Sequence, residues 1–169
     1  MKEKFKPLFQ WNGEAVEDVR FWCEPELTSM AIHEISGLGF AHFDGIASFE
    51  ARGFFLAGMA ADQLKMPAIL IRKHKRFYDG MAHERIDFTN WKNEPEALTV
   101  LTNSLPPVKR ALIVDDIFDT GNSLRAGIQL LERVGIRPVG AFYLLNAGTE
   151  KALGDFSLPI ESILRKKLF

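Results

Sequence analysis

Apolar runs alternate with segments of helical periodicity along most of the chain. The clearest case is the apolar run 111–114, which leads directly into Asp115 and Asp116. After these acids, apolar residues recur at helical spacing from Leu124 to Val134. A continuous apolar run is typical of a strand that is buried on both faces of a parallel sheet. The pattern therefore predicts a strand that delivers two acids at its carboxyl end, followed by an acidic loop and a helix.

The same alternation extends over most of the remaining sequence. Further strands are predicted at 45–47, 67–72, 86–91, 138–145 and 160–164, and helices at 24–35, 54–64, 94–101 and 121–134. Strands that alternate with helices indicate an α/β fold, doubly wound, with a mainly parallel sheet flanked by helices. The aromatic-rich beginning of the chain is only weakly periodic. We therefore expect a single domain over 1–169, with a small N-terminal lid at 1–37 and the core at 38–169.

Length, charge and cysteine content narrow the class of protein. A chain of 169 residues is long enough for one domain with its own core. The net charge of −1 argues against a nucleic-acid or membrane surface that depends on bulk electrostatics. The single cysteine, Cys23, fits a reducing cytoplasm, and the sequence contains no signal peptide and no apolar stretch of membrane-spanning length. We therefore expect a soluble, cytoplasmic protein that binds neither nucleic acid nor membrane.

The loop after the acid pair has the composition of a phosphate site. Residues 120–123 are small or hydroxylated, and Gly121 allows the chain to approach a ligand closely at the start of a helix. A phosphate binds poorly beside Asp115 and Asp116 unless the ligand also brings hydroxyls or a divalent metal. These residues predict a sugar phosphate as ligand. A P-loop would need lysine where Asn122 stands, whereas a response-regulator-like acidic pocket, or a sugar-phosphate module without catalysis, remains an alternative.

A second loop of the same kind lies at 49–53, between a predicted strand and a predicted helix. Loops at the carboxyl edge of a parallel sheet are where ligands bind in such folds. Arg52 offers a planar fork of donors for a phosphate or pyrophosphate, although it could instead pair with a surface acid. The basic segment 73–80 follows the next strand, and it is either a mobile lid over an anion or a solvated face.

The stretch 111–124 resembles the signature of the type I phosphoribosyltransferases, and the second loop narrows the resemblance to the adenine phosphoribosyltransferases. Glu50-Ala51-Arg52-Gly53-Phe54 is similar to that family's pyrophosphate loop, and the resemblance covers about 43–164. It implies the type I phosphoribosyltransferase fold, a homodimer, and a Mg²⁺ cofactor held indirectly by Asp115 and Asp116. The implied substrate-binding residues are Glu50, Ala51, Arg52, Gly53, Lys73, Lys75, Asp115, Asp116, Asp119, Thr120, Gly121, Asn122 and Ser123.

Three departures from the family bear on the base site. In place of the family's Pro-Gly…Phe-Arg-Asp segment, the nearest stretch is Val19-Arg20-Phe21-Trp22, which lacks the glycine and the acid. In place of Tyr-x-Leu-Glu-Tyr-Gly stands 86–91, with Thr89 at the position of the glutamate. Asp119 stands where those enzymes usually have alanine. We regard Asp119 as a candidate catalytic acid/base at the purine, with helix capping as the alternative, and Arg52 as the second catalytic candidate.

The expected function is transfer of ribose 5-phosphate from phosphoribosyl pyrophosphate to a nucleobase. The resemblance favours adenine as the acceptor, with AMP and pyrophosphate as products, in purine salvage. Two alternatives remain open at this point. One is another purine or orotate as the acceptor, and the other is a non-catalytic regulatory protein that binds phosphoribosyl pyrophosphate or a nucleotide.

Overall fold

The structure is a computed structural model that describes residues 2–11, 16–73 and 80–165. Its α-helices are α1 (Lys2–Phe5), α2 (Val19–Trp22), α3 (Pro25–Gly37), α4 (Gly53–Leu64), α5 (Asn122–Arg133) and α6 (Glu150–Gly154). Short 3-10 helices lie at Lys6–Leu8 and Thr102–Ser104. The strands are β1 (Gln10–Trp11), β2 (Val16–Glu17), β3 (Gly45–Phe49), β4 (Ala68–Lys73), β5 (His83–Thr89), β6 (Pro95–Leu101), β7 (Arg110–Phe118), β8 (Arg137–Asn146) and β9 (Ile160–Arg165).

A seven-stranded sheet in the order β5-β6-β4-β3-β7-β8-β9 forms the centre of the fold. The pairs β3–β4, β3–β7, β7–β8 and β8–β9 are parallel, and the hairpin β5–β6 joins β4 in antiparallel orientation. The strands β1 and β2 form a separate antiparallel pair. The predicted α/β fold with a mainly parallel sheet is confirmed.

The central strand β7 is buried on both faces of the sheet. Leu112 and Val114 pack in the core under α3, α4 and the N-terminal segment, whereas Ala111 and Ile113 pack in the core under α5. Successive side chains of a strand point to opposite faces. Because both faces are covered by helices, every position of this run must be apolar, and this explains why the sequence shows a continuous run rather than alternation.

Most predicted elements are confirmed, but the predicted helix at 94–101 is wrong. This segment is the strand β6, which pairs along its whole length with β5 and, at Leu98 and Thr99, with the last residues of β4. Leu98 and Leu101 are three residues apart, which fits a helix, but residues 97–100 are all buried, and a short strand buried in this way shows no alternation that would reveal it. The free edge of β4 and the partner strand β5 decide in favour of the sheet. The loop after the apolar run also begins later than expected, since β7 continues through the acid pair to Phe118.

Within the described residues, no helix is both long and apolar enough to cross a bilayer.

Gly127 of α5 provides a test of how α5 packs on the sheet. A Cβ atom at this position would lie 2.4 Å from the ring of the fully buried Phe49. We expect Gly127→Ala to lower the free energy of unfolding, because overpacking of a core costs about 1–3 kcal/mol. The measurement is urea denaturation followed by circular dichroism.

Gly58 of α4 is the matched control for that experiment. A Cβ atom there meets nothing within 4 Å. Gly58→Ala should therefore raise the free energy of unfolding by about 0.5–1 kcal/mol, because alanine loses less backbone entropy in a helix. Equal effects of the two substitutions would contradict the packing described here.

Candidate active site

A cavity of about 270 Å³ opens at the carboxyl ends of the parallel strands. It is lined by β7, by the loop that leads into α5, and by single residues from the loop after β3, from β4, from β8 and from the N-terminal segment. The lining residues are Val16, Arg52, Lys73, Trp91, Asp115, Asp116, Ile117, Phe118, Asp119, Thr120, Gly121, Asn122, Ser123, Leu124, Tyr143 and Ala147. Nine of the residues singled out in the sequence thus share one cavity, although they come from three separate parts of the chain.

The two carboxylates of β7 are almost completely buried at the floor of this cavity. Asp115 and Asp116 are 6% and 8% exposed. Burial, followed by the negative charge of Asp116, raises the pKa of Asp115 well above its usual value, while the positive charge of Lys73 opposes this shift. Burial and the same two carboxylates raise the pKa of Tyr143, so its phenol stays protonated. The cavity floor is therefore a site at which a positive charge is stabilised.

A glycine makes room for the first carboxylate. A Cβ atom on Gly53, the first residue of α4, would lie 2.3 Å from both Oδ1 of Asp115 and Oγ of Ser48. The Ser48 hydroxyl donates to the carbonyl oxygen of Val114 at 2.5 Å, which ties β3 to β7 directly beneath the acids. Any larger residue at position 53 would push α4 away from the sheet. The glycine predicted for the pyrophosphate loop thus has a packing reason as well.

Arg52 lies between two buried acids. Its Nε lies 2.7 Å from Oδ2 of Asp116, and its Nη1 donates a hydrogen bond to Asp18. The side chain of Arg52 is 44% exposed and lines the cavity. The alternative that Arg52 only pairs with a surface acid is wrong, since both of its partners are buried. Arg52 therefore joins the N-terminal segment, the acid pair and the cavity.

The structure identifies Asp18 and Val16 as site residues that the sequence analysis missed. Val16 of β2 lines the cavity, and Asp18 is completely buried. Burial raises the pKa of Asp18, whereas the charge of Arg52 lowers it. The stretch 19–22, expected to be nearest to the family's Pro-Gly…Phe-Arg-Asp segment, instead places Phe21 in the core. In the sequence, the signal for these two residues is the short stretch Val16-Glu17-Asp18, which contains an acid that the stretch 19–22 lacks.

The loop into α5 is shaped by Gly121. This residue has a φ of +78° and occupies the N-cap position of α5, with the ring of Phe156 packed against its Cα. Thr120, Asn122 and Ser123 line the cavity around the first turn of the helix. The alternative that Asp119 caps this helix is wrong, because Gly121 holds the N-cap position and the exposed Asp119 carboxylate accepts no hydrogen bond from the backbone N–H groups of the first turn. Asp119 faces the cavity, so its catalytic role stays a prediction.

Asn122 connects the β5–β6 hairpin to the loop that leads into α5. Its Nδ2 donates to the carbonyl oxygen of Thr89 at 2.8 Å, and its Oδ1 accepts from Nη1 of Arg125 at 3.3 Å. Thr89, which stands at the position of the family's glutamate, thus contributes its backbone to this contact. Two residues further, Trp91 reaches the cavity mouth and remains half exposed. The side chain of Asn122 therefore has a structural role, and its residue also lines the cavity.

The remaining predicted binding residues lie beside the cavity or outside the described residues. Oε2 of Glu50 accepts from the backbone N–H of Lys73 at 3.1 Å, which connects the loop after β3 to the end of β4. The peptide bond between Glu50 and Ala51 is cis. Lys73 lines the cavity. Lys75 and the predicted lid over 74–79 fall outside the described residues.

The fold and the cavity agree with the comparisons to known proteins. Residues 27–157 match the phosphoribosyl transferase domain family, and the chain belongs to this family. Its relatives include the adenine phosphoribosyltransferase of Dinoroseobacter shibae, 32% identical over 71% of this chain and 67% of that protein. The corresponding enzyme of Mycoplasma pneumoniae is 34% identical over 60% of this chain and 56% of that protein.

Solved structures of adenine phosphoribosyltransferases share the fold. The enzyme of Thermoanaerobacter pseudethanolicus superposes with a TM-score of 0.83 at 20% identity, over 98% of this chain and 99% of that one. The Trypanosoma brucei enzyme, solved with AMP, pyrophosphate and ribose-5-phosphate, gives a TM-score of 0.80 at 22% identity, over 99% and 80% of the two chains. The resemblance to adenine phosphoribosyltransferases that the two loops indicated is confirmed.

The raised pKa of Asp115 predicts that this residue costs stability. Below about pH 4 the carboxyl is protonated in both the folded and the unfolded chain, so it contributes nothing. As the pH rises, the unfolded chain ionises first, and the wild type loses stability relative to a variant without the acid. We therefore expect Asp115→Asn to have a higher melting temperature at about pH 7.5 and no advantage near pH 4.

Asp62 on α4 is the control, because its pKa is shifted in the opposite direction to that of Asp115. A hydrogen bond from Lys65, followed by its charge, lowers the pKa of this exposed carboxyl. Its small contribution to stability is present above about pH 4 and is lost in acid. Asp62→Asn should therefore be slightly less stable than the wild type at neutral pH. If Asp115→Asn were the less stable variant at neutral pH, the described electrostatics of the acid pair would be wrong.

Proposed function

We propose that this protein transfers ribose 5-phosphate from phosphoribosyl pyrophosphate to adenine and so forms AMP and pyrophosphate in purine salvage. The observation that carries the proposal is a single cavity that holds the acid pair of β7, the first turn of α5 and the guanidinium of Arg52. A sugar that carries phosphate at one end and pyrophosphate at the other needs these three elements together. The relatives described above have this activity in their names.

The proposed contacts to the sugar follow from the groups that face the cavity. Oδ2 of Asp116 is buried and forms an ion pair with Nε of Arg52 at 2.7 Å, and it accepts no hydrogen bond from the described residues. A buried acceptor of this kind is satisfied by a ribose hydroxyl. At the other end, the backbone N–H groups at 121–123 and the hydroxyls of Thr120 and Ser123 provide donors for the 5′-phosphate.

The proposed reaction breaks the bond between C1 of the sugar and the pyrophosphate oxygen and forms a bond from C1 to a ring nitrogen of the base. Positive charge develops on the sugar ring as the leaving group departs. The carboxylates of Asp115 and Asp116 lie on the cavity floor and stabilise this charge. Arg52 and Lys73 stabilise the negative charge that accumulates on the pyrophosphate. The proton released by the base nitrogen is accepted by Asp119 in this proposal.

The donor set fits a Mg²⁺ ion that is shared with the substrate. Among the described residues, no cluster of three or more metal-binding side chains is found. Asp115 and Asp116 offer hard carboxylate oxygens, and Mg²⁺ is commonly held by one or two carboxylates together with phosphates and water. These two residues would hold the ion through the ribose hydroxyls or through water. When bound, the ion would neutralise charge on the leaving pyrophosphate.

The base is proposed to lie between the N-terminal segment and the end of β7. Val16 and Asp119 line that part of the cavity, and the ion pair of Arg52 with Asp18 holds the N-terminal segment over it. This geometry supports the interpretation of residues 1–37 as a lid on the core at 38–169. Valine is smaller than an aromatic residue and provides less stacking surface, so a different purine, or a regulatory role without efficient transfer, remains the second candidate.

A substrate panel tests the proposal. Purified protein, Mg²⁺ and phosphoribosyl pyrophosphate are incubated with adenine, hypoxanthine, guanine, xanthine, uracil or orotate, and nucleotide formation is followed by chromatography. We expect AMP from adenine. If no base reacts although phosphoribosyl pyrophosphate binds, transferase activity is excluded for this panel and the regulatory role is favoured.

Two substitutions link the activity to the described geometry. Arg52→Lys keeps a positive charge beside the buried Asp18 but removes the planar fork, and Asp116→Asn removes the proposed ribose acceptor. Each should lower kcat/KM by about 10²-fold or more, as the loss of a preorganised electrostatic contact does. The matched control is Arg133→Lys, since Arg133 pairs with Glu84 on the surface and lines neither the cavity nor its loops. An equal loss in the control would point to a general effect on folding.

Asp119→Asn tests the proposed acid/base. Loss of a positioned proton acceptor lowers turnover by about 10²–10⁴-fold, whereas the affinity for phosphoribosyl pyrophosphate should change little because this proposal places Asp119 at the base and not at the phosphates. The measurement combines steady-state kinetics with equilibrium binding of phosphoribosyl pyrophosphate. A variant with normal kcat would remove Asp119 from the mechanism.

A homodimer and a cytoplasmic location stay predictions. The half-exposed apolar residues Val19 and Phe55, 58% and 65% exposed, are candidates for a contact between subunits. Analytical ultracentrifugation of the purified protein tests the assembly state.

A further inference from the structure

A second cavity lies at the opposite edge of the sheet from the candidate active site. It has a volume of about 490 Å³ and runs between the flank of α5, the first residues of β7 and β8, and the segment 155–159. Arg110 begins β7, and Asp115 follows five residues later, so the two sites are about 17 Å apart at the usual rise of a strand. The cavity contains three arginines, Arg110, Arg125 and Arg137, and we call it the arginine groove.

Two of these arginines are direct neighbours across the sheet. Arg110 and Arg137 are register partners in the parallel pair β7–β8. Like charges opposite each other on adjacent strands destabilise a sheet. Neither guanidinium forms an ion pair with any residue in the described part of the chain, whereas Arg125 is paired with Asp155 at 3.1 Å. The two arginines thus repel each other without a compensating anion from these residues.

Arg110 carries a second sign of a missing partner. Its Nε is buried, and no acceptor for it exists among the described residues. The nearby carboxylate of Asp44 is engaged elsewhere, because it accepts hydrogen bonds from the backbone N–H groups of Lys109 and Arg110. A buried donor without an acceptor is unusual in a folded protein. A single anion in the groove would satisfy this donor and neutralise the adjacent like charges together.

We propose that the arginine groove binds a small polyphosphate anion, either free or carried by a nucleoside. Guanidinium groups bind phosphate oxygens through paired hydrogen bonds, and a groove of this volume is the size of a small-molecule site. Glu132 also lines the groove and is exposed, and Asp155 is neutralised by Arg125. The anion therefore binds beside Arg110 and Arg137 rather than beside Glu132. This inference does not depend on the proposed transferase activity.

Equilibrium binding of inorganic pyrophosphate tests the site. The wild type is compared with the double variant Arg110→Gln/Arg137→Gln, and calorimetry gives the number of equivalents bound per chain. The wild type should bind one more equivalent of pyrophosphate than the double variant does. If both proteins bind the same number of equivalents, the wild type should bind pyrophosphate about tenfold more tightly for each charged hydrogen bond that the substitutions remove. The variant should retain the wild-type kcat for nucleotide formation, because neither arginine lines the active-site cavity.

Two control variants make the result specific. Lys65→Gln/Lys151→Gln removes the same charge from residues that line neither cavity and should bind pyrophosphate like the wild type. Glu132→Gln removes the acid from the groove and should tighten binding there. Identical isotherms for the wild type and the Arg110→Gln/Arg137→Gln variant would overturn the proposal, and so would an equal loss in the lysine control.

A parallel titration with GTP distinguishes the two sources of the anion. Tighter binding of GTP than of pyrophosphate, lost in the arginine variant, supports a nucleotide as the ligand. Binding of pyrophosphate alone, lost in the same variant, supports a free polyphosphate. Failure of the transferase proposal is recognised separately, since it would appear as the absence of nucleotide formation with every base.

Discussion

The burial of two adjacent carboxylates at the end of the central strand is the constraint on which the rest of the site depends. Charged groups out of water must be paired or must shift their pKa, and both responses occur here. Asp116 has Arg52 beside it, and the pKa of Asp115 is raised. Gly53 leaves the space that Asp115 occupies. The loop after β3, the start of α4 and the N-terminal segment all take their places around these acids.

Arg52 extends this constraint to a part of the chain that is distant in sequence. Its partner Asp18 belongs to the N-terminal segment, which also brings Val16 to the cavity. A ligand that competes for Arg52 would therefore change how firmly this segment is held. On the opposite side of the cavity, Asn122 connects the loop that leads into α5 to the β5–β6 hairpin and, through Arg125, to Asp155. The cavity is thus bounded by two elements that hydrogen bonds and ion pairs attach to a rigid sheet.

The direction of the parallel strands separates two kinds of chemistry. Their carboxyl ends carry the acids and the helix N-terminus that suit a sugar phosphate, and their amino ends carry Arg110 and Arg137 without acidic partners among the described residues. The helix α5 borders both cavities, because Asn122 in its first turn lines the active-site cavity and Arg125, one turn later, lines the arginine groove. Phe156 packs against Gly121 and lines the same groove. Residues that line the active-site cavity are therefore next to residues that line the arginine groove.

The sequence by itself determined the α/β alternation, the strand that carries Asp115 and Asp116, the loop around Gly121 and the loop around Arg52, because each is written in contiguous residues with a strong local pattern. It did not determine β6, since the three-residue spacing of Leu98 and Leu101 suits a helix and only the pairing with β4 and β5 selects a strand. Asp18 and Val16 were missed for the same reason. Their importance comes from Arg52 and the cavity, which lie far away in the sequence, and the pairing of Arg110 with Arg137 exists only once β7 and β8 are in register. Local patterns fix elements, whereas contacts between distant residues are fixed only when the sheet assembles.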